Sequence, residues 1–148
     1  MTKAVDFSAA SKRHYRDAEL LLTNNRIPNA GHLFGFAAEC GIKALLVSHG
    51  LRVDSTTGDI KEEKEKNKPY KYKTHINVLI NNVKAFKDSR MYSQYVEMMP
   101  NLMAFSNWNT NHRYYDESSI PASHNNWREA AREVMQMLDK AKSDGVIA

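Results

Sequence analysis

The stretch Asn29-Ala30-Gly31-His32-Leu33-Phe34-Gly35-Phe36-Ala37-Ala38-Glu39-Cys40-Gly41-Ile42-Lys43-Ala44-Leu45-Leu46 decides the fold. It reads as a helix over about 29–49 with little polar face. A helix that is apolar almost all round is buried at the centre of its domain. Gly31, Gly35 and Gly41 each cost roughly 1 kcal/mol of helix propensity against alanine, so packing must offset them. With Ala37, Ala38 and Ala44 they make a low-relief surface that a neighbouring helix can approach closely. The GxxxG spacing of Gly31 and Gly35 is therefore read as a packing feature. Gly50 suits a left-handed cap, with Leu51 folding back on the last turn.

Working outward, a first helix spans about Asp6 to Asn24. Phe7, Ala10, His14, Ala18, Leu21 and Leu22 fall on one face. Asp6 is the expected N-cap, and Asn24-Asn25 followed by Pro28 the expected stop. Downstream, Thr74 is the expected cap of a third helix that buries Ile76, Leu79, Ile80, Val83 and Phe86. A fourth follows Asp88 and keeps phase through Met91, Tyr95, Met98, Leu102 and Phe105, with a kink expected at Pro100. A last helix starts near Asn126, with Glu129 as capping partner and a stripe of Trp127, Ala131, Val134, Leu138 and Ala141. No strand alternation persists. The expectation is an all-α, antiparallel up-and-down bundle of four to five helices, one domain over 1–148, with a long polar loop at about 51–73.

The chain of 148 residues suits one domain, and 42% apolar with 26% charged residues is ordinary globular composition. No uninterrupted apolar run approaches the roughly 20 residues of a membrane span, so no membrane partner is expected. The N-terminus shows no apolar signal core. The single cysteine, Cys40, cannot form an internal disulfide, which fits a reducing, cytoplasmic setting. A net charge of +4 permits nucleic-acid contact without demanding it. The six lysines of 61–73 are interleaved with Asp59, Glu62, Glu63 and Glu65, and read as a solvated loop.

Two groups of residues can carry chemistry. Glu39 and Lys43 stand at i and i+4 on the apolar helix, where buried charges need partners. They form either an ion pair tying this helix to the fourth or fifth or a polar site within the bundle. Trp108-Asn109-Thr110-Asn111-His112-Arg113-Tyr114-Tyr115 gathers a cation, an imidazole, two amides and three aromatic rings. Arginine can grip phosphate, aromatic faces can stack bases, and histidine can move protons near neutral pH. The plainer reading is a loop that plugs the bundle end, with Arg113 paired to Glu39 or Asp116. His75 opens the third helix and is a further candidate. His14, His32 and His49 read as face or cap residues. No zinc spacing, phosphate-binding glycine loop or serine elbow is present, and neither metal nor cofactor is expected.

The 29–46 stretch resembles the second helix of HEPN domains, which is alanine-rich with a glutamate, a lysine four on, and Ala-Leu-Leu. Arg16-Asp17-Ala18-Glu19-Leu20-Leu21 and Thr74-His75-Ile76-Asn77-Val78-Leu79 look like the flanking helices. Arg113-Tyr114 is similar to an Arg-Tyr of nucleotidyltransferase-associated members. The resemblance covers about residues 8–140. It implies a four- or five-helix bundle, commonly a homodimer, that is either a metal-independent RNase of toxin–antitoxin or defence type or an inactive partner of a nucleotidyltransferase or antitoxin. The RNase members use an arginine, four to six residues, then a histidine. Here 118 to 120 are Ser-Ser-Ile, and the one numerical match, Arg26 to His32, lies at the turn between the first two helices. The expectation is a non-catalytic or diverged module that binds a nucleotide, RNA or a partner protein. Glu39, Lys43, His75, Trp108 and Tyr114 are its binding residues, and His112 and Arg113 would be catalytic if it cuts RNA. A purely structural dimer, joined through the Gly/Ala surface, is the remaining alternative.

Overall fold

The computed structural model describes residues 5–54, 56–61 and 72–148. The first helix, α1, is Phe7–Thr23, and the Asp6 carboxylate accepts the Ala9 amide at 2.9 Å as its cap. Asn24 ends it, and Asn25 turns the chain through a positive φ of 60°. Pro28 does not help to stop α1. It sits in the first turn of α2, Ile27–Ser48, where a missing amide hydrogen costs nothing. At the other end Gly50 takes φ +110°, and the Leu51 amide returns to the Leu46 carbonyl at 3.0 Å, the cap expected of that glycine.

The middle of the chain is less helical than its periodicity suggests. α3 is only Ile76–Leu79, preceded by His75 rather than capped by Thr74. Turns continue to Phe86, so the apolar spacing is kept without a continuous helix. Asn81 and Asn82 interrupt here, and asparagine side chains compete for backbone groups inside helices. α4 is Arg90–Val96, capped by Ser89. Pro100 does not kink a long helix. The chain leaves α4 before it and resumes as a 3₁₀ turn over Leu102–Asn107. The Glu133 carboxylate accepts the Asn101 amide at 2.9 Å, in effect capping that turn from another helix. α5 is His124–Ser143, two residues longer at its start than expected, and Glu129 pairs with Arg132 instead of capping. Among the described residues there is no strand. Val53 and Ile60 form a single antiparallel bridge.

α1 and α2 form an antiparallel hairpin, and α1 also runs antiparallel to α5, joined by Glu19–Arg128 and Lys12–Asp139. The segment 90–107 opposes α5 as well, through Tyr95 to Asp144 and Asn101 to Glu133. Gly31 meets Trp127 and Gly41 meets Val134, so α2 and α5 run parallel. That is the diagonal relation of an all-α, up-and-down bundle, and here the diagonal is closed by contact. By length and composition α2 is apolar enough to cross a membrane, contrary to the expectation from uninterrupted runs. In this fold 72% of its most apolar window is buried among the other elements.

The glycines explain the close approach. A Cβ at Gly31 would stand 2.9 Å from the Trp127 ring. One at Gly35 would stand 2.1 Å from Trp108, and one at Gly41 2.3 Å from Val134. The notches therefore receive two indoles and a valine of the same chain. The Gly/Ala surface is covered from within, and a dimer would have to use another face. The indole nitrogens are satisfied as they enter: Trp108 donates to the Gly31 carbonyl at 3.2 Å and Trp127 to the Ala104 carbonyl at 3.0 Å.

Gly35→Ala separates propensity from packing. Propensity alone would stabilise the helix by about 1 kcal/mol. The indole at 2.1 Å reverses the sign, because overpacking costs about 1–3 kcal/mol. Urea unfolding of the variant is expected to show a lower midpoint than the parent. A rise would mean that Trp108 is not seated on α2.

Candidate functional site

Glu39 and Lys43 are both buried on the inner half of α2, and the sequence left open what balances them. Lys43 Nζ lies 3.3 Å from Glu39 and 3.0 Å from Asp59, on the stretch that follows α2. The other Glu39 oxygen lies 3.0 Å from His75 Nδ1. The pair is therefore neither isolated nor tied to the fourth or fifth helix. It ties α2 to Asp59 within the long polar stretch and to His75 just after it. The part of that stretch between 62 and 71, with most of its lysines, lies outside the described residues. The Lys43 side chain is 3% exposed and that of Glu39 10%, whereas His75 is 54% exposed. Burial would raise the Asp59 carboxyl, but the Ile60 amide and Lys43 outweigh it and hold it low. Cys40 sits beside this network. Burial first, and the Glu39 charge second, push its thiol up to about 12, so it stays protonated and unreactive at neutral pH.

The second group is carried by the segment after the Leu102–Asn107 turn. Trp108 is 1% exposed and fills the notch at Gly35. It is a core residue, not a stacking platform open to a ligand. A second 3₁₀ turn, Thr110–Tyr114, buries His112 and sends Arg113, Tyr114 and Tyr115 outward. The Arg113 guanidinium lies 4.6 Å from the centre of the Tyr114 ring, which is 73% exposed. Arg113 does not pair with either acid that the plainer reading offered. Glu39 is engaged by Lys43 and His75, and Asp116 accepts the Ser118 hydroxyl at 2.5 Å. Only half of the plug reading holds: Trp108 plugs, and the two tyrosines do not.

Between the groups stands His32, which the sequence offered only as a face or cap residue. Its ring stacks on Trp108 with centroids 5.2 Å apart and meets Phe36 edge-on at 4.9 Å. Phe36 in turn lies against His75 at 6.3 Å. Burial chiefly, with Arg113, His112 and His75 adding positive charge, lowers the His32 pKa. Its Nδ1 is buried and makes no hydrogen bond among the described residues. Burial alone lowers the pKa of His112. His32, His112 and Arg113 line one cavity of about 160 Å³, with Pro28, Asn29, Tyr115, Glu117 and Ile120. The fold thus brings His32 to His112 and Arg113. Glu39, Lys43 and His75 form a separate network, on the far side of the Phe36–Trp108 contact. Arg26 stands at the N-cap position of α2 without a side-chain capping bond and does not line the cavity. Among the described residues no three histidine, cysteine or acidic side chains are grouped to hold a metal ion. The signal that could have found His32 is its spacing: it is one turn before Phe36 and on the side of α2 that carries Gly35.

Two measurements test this description. Removing one partner of a buried ion pair costs about 3–5 kcal/mol, so Lys43→Met is expected to destabilise strongly and Glu39→Leu/Lys43→Met to cost less. A double variant destabilised by the full sum of Glu39→Leu and Lys43→Met measured singly would show that the two charges are not coupled. The second concerns pH. Burial lowers the pKa of His14, His32 and His112, so each favours the native state only while neutral. That contribution is whole above the unfolded value of about 6.5 and is lost as pH falls through the window below it. The lowered carboxyls of Glu19, Asp59 and Asp144 act only near pH 4 and below. The urea midpoint is expected to drop between about pH 7.5 and about pH 5, and to drop less in His112→Gln.

Comparison of the chain with protein-family models, with curated proteins and with solved structures finds no match, so the reading of this site rests on its own geometry.

Proposed function

We propose that this chain is a HEPN-like module that binds single-stranded RNA or a nucleotide at the surface formed by His112, Arg113, Tyr114 and Tyr115. One observation carries the reading. An exposed guanidinium, held against an exposed ring and paired with neither Glu39 nor Asp116, stands at the mouth of a cavity lined by two imidazoles. A guanidinium left in this state is available to a phosphate, and adjacent exposed rings stack bases without regard to sequence. The net charge of +4 is consistent with this mode and with strong salt dependence. The same reading takes in a homodimer, or a nucleotidyltransferase or antitoxin as partner.

A second reading is a metal-independent RNase, and the lowered pKa of His112 favours it. A neutral imidazole can take the proton of a ribose 2′-hydroxyl as that oxygen attacks the adjacent phosphorus. The 5′-oxygen leaves with a proton, a 2′,3′-cyclic phosphate forms, and Arg113 offsets charge on the phosphorane oxygens.

One experiment separates the two. Arg113→Ala is expected to weaken binding of an unstructured RNA about ten-fold, the size of a lost arginine or stacking contact, while the thermal midpoint stays unchanged. Unchanged affinity in this variant would overturn the binding site. Incubation with RNA in EDTA is expected to leave it intact. Cyclic-phosphate ends that disappear in His112→Ala and Arg113→Ala would establish the second reading instead.

A further inference from the structure

We infer that the cavity between α2 and the 108–120 segment is a pocket for a single nucleobase, and that Glu117 selects guanine there. The inference rests on the RNA- or nucleotide-binding reading and names what that site prefers.

Size comes first. Pockets for drug-sized ligands run from roughly 300 Å³ upward. At about 160 Å³ and open on one side, this one has room for a flat ring system, with the sugar and phosphate left outside. Charge comes next. Burial favours the neutral forms of His32 and His112, which leaves Arg113 and Glu117 as opposite, cancelling charges on the lining. A phosphate inside the cavity would meet the Glu117 carboxylate as well as the guanidinium. A neutral base meets neither penalty, and the phosphates stay outside on the open surface.

Edge chemistry then distinguishes the bases. An ionised carboxylate only accepts hydrogen bonds, and a guanidinium only donates them. The ligand must therefore offer donors on one side and acceptors on another. Guanine places two donors side by side, N1–H and the 2-amino group, and two acceptors, O6 and N7, further round the ring. Arginine on O6 and N7 is a common specific contact. Adenine, cytosine and uracil each set an acceptor beside their donor on the pairing edge, and a carboxylate there repels it. Asn29 can serve either role, and the half-exposed Tyr115 ring can stack over the base.

The test uses the full chain and one unstructured, uridine-rich RNA carrying G, A, C or U at its centre. The G-containing RNA is expected to bind about five-fold or more tightly than the others, the lower end of discrimination by a bidentate base contact. Glu117→Gln is expected to remove that preference, by weakening binding of the G-containing RNA and relieving the repulsion felt by the other three bases. Glu117 lies on an exposed turn, so the variant should fold, and far-UV circular dichroism checks it. Equal binding of all four RNAs overturns the guanine pocket and leaves the RNA-binding reading standing. A preference for G that survives in Glu117→Gln also overturns the assignment. Competition by inorganic phosphate as strong as by guanosine monophosphate would make the cavity an anion site. Absence of binding by any RNA overturns both readings.

Discussion

The seating of two indoles on the glycine notches of α2 is the contact on which the bundle depends. In an up-and-down bundle diagonal helices are normally kept apart by the side chains between them. Here Gly31 and Gly41 let α5 reach α2 directly, and Gly35 takes Trp108 from the chain that precedes α5. Once that diagonal is closed, the remaining limb need not be a full helix. The segment from Ile76 to Asn107 fills its side of the core with short helices and turns. It still buries Leu79, Val83, Tyr92, Tyr95 and Phe105. The loss of regular backbone hydrogen bonds there is offset by side chains from elsewhere, Glu133 on Asn101 being the clearest.

The same seating positions the candidate site. Trp108 cannot leave its notch without opening the core, so the turn that follows it is held against the start of α2. His112 is thereby buried while its neighbours Arg113 and Tyr114 are turned outward. The buried Glu39–Lys43 pair holds the other side in the same manner, with Asp59 within the long polar stretch and His75 after it. α2 thus anchors both groups, although they do not merge into one.

Much of this was legible in the sequence. Glycines within an unusually apolar helix announced close packing, and the Asp6 and Gly50 caps fell where their chemistry requires. The α5 stripe of Trp127, Ala131, Val134, Leu138 and Ala141 is buried throughout, as its spacing requires. What the sequence could not give was the partner in each notch, because a tryptophan in a loop and one on a helix look alike as apolar residues. The overestimated third and fourth helices have the same origin. A periodicity of three and four is shared by α-helix, 3₁₀ turns and short helical pieces that bury one face. A histidine on an apolar helix is most often packed, and the placement of His32 emerges only when the distant His112 and Arg113 are brought beside it.

The placement of the indoles has an optical consequence. The chain has two tryptophans, and both rest on α2 one helical turn apart. Their emission therefore originates at one interface and carries no signal from the α1–α2 hairpin or the 76–96 segment. A change in tryptophan fluorescence, excited where the seven tyrosines do not absorb, reports the docking of α5 and the 108 segment onto α2. Any intermediate that keeps the hairpin but releases the diagonal would appear unfolded by fluorescence while retaining much of its helical dichroism.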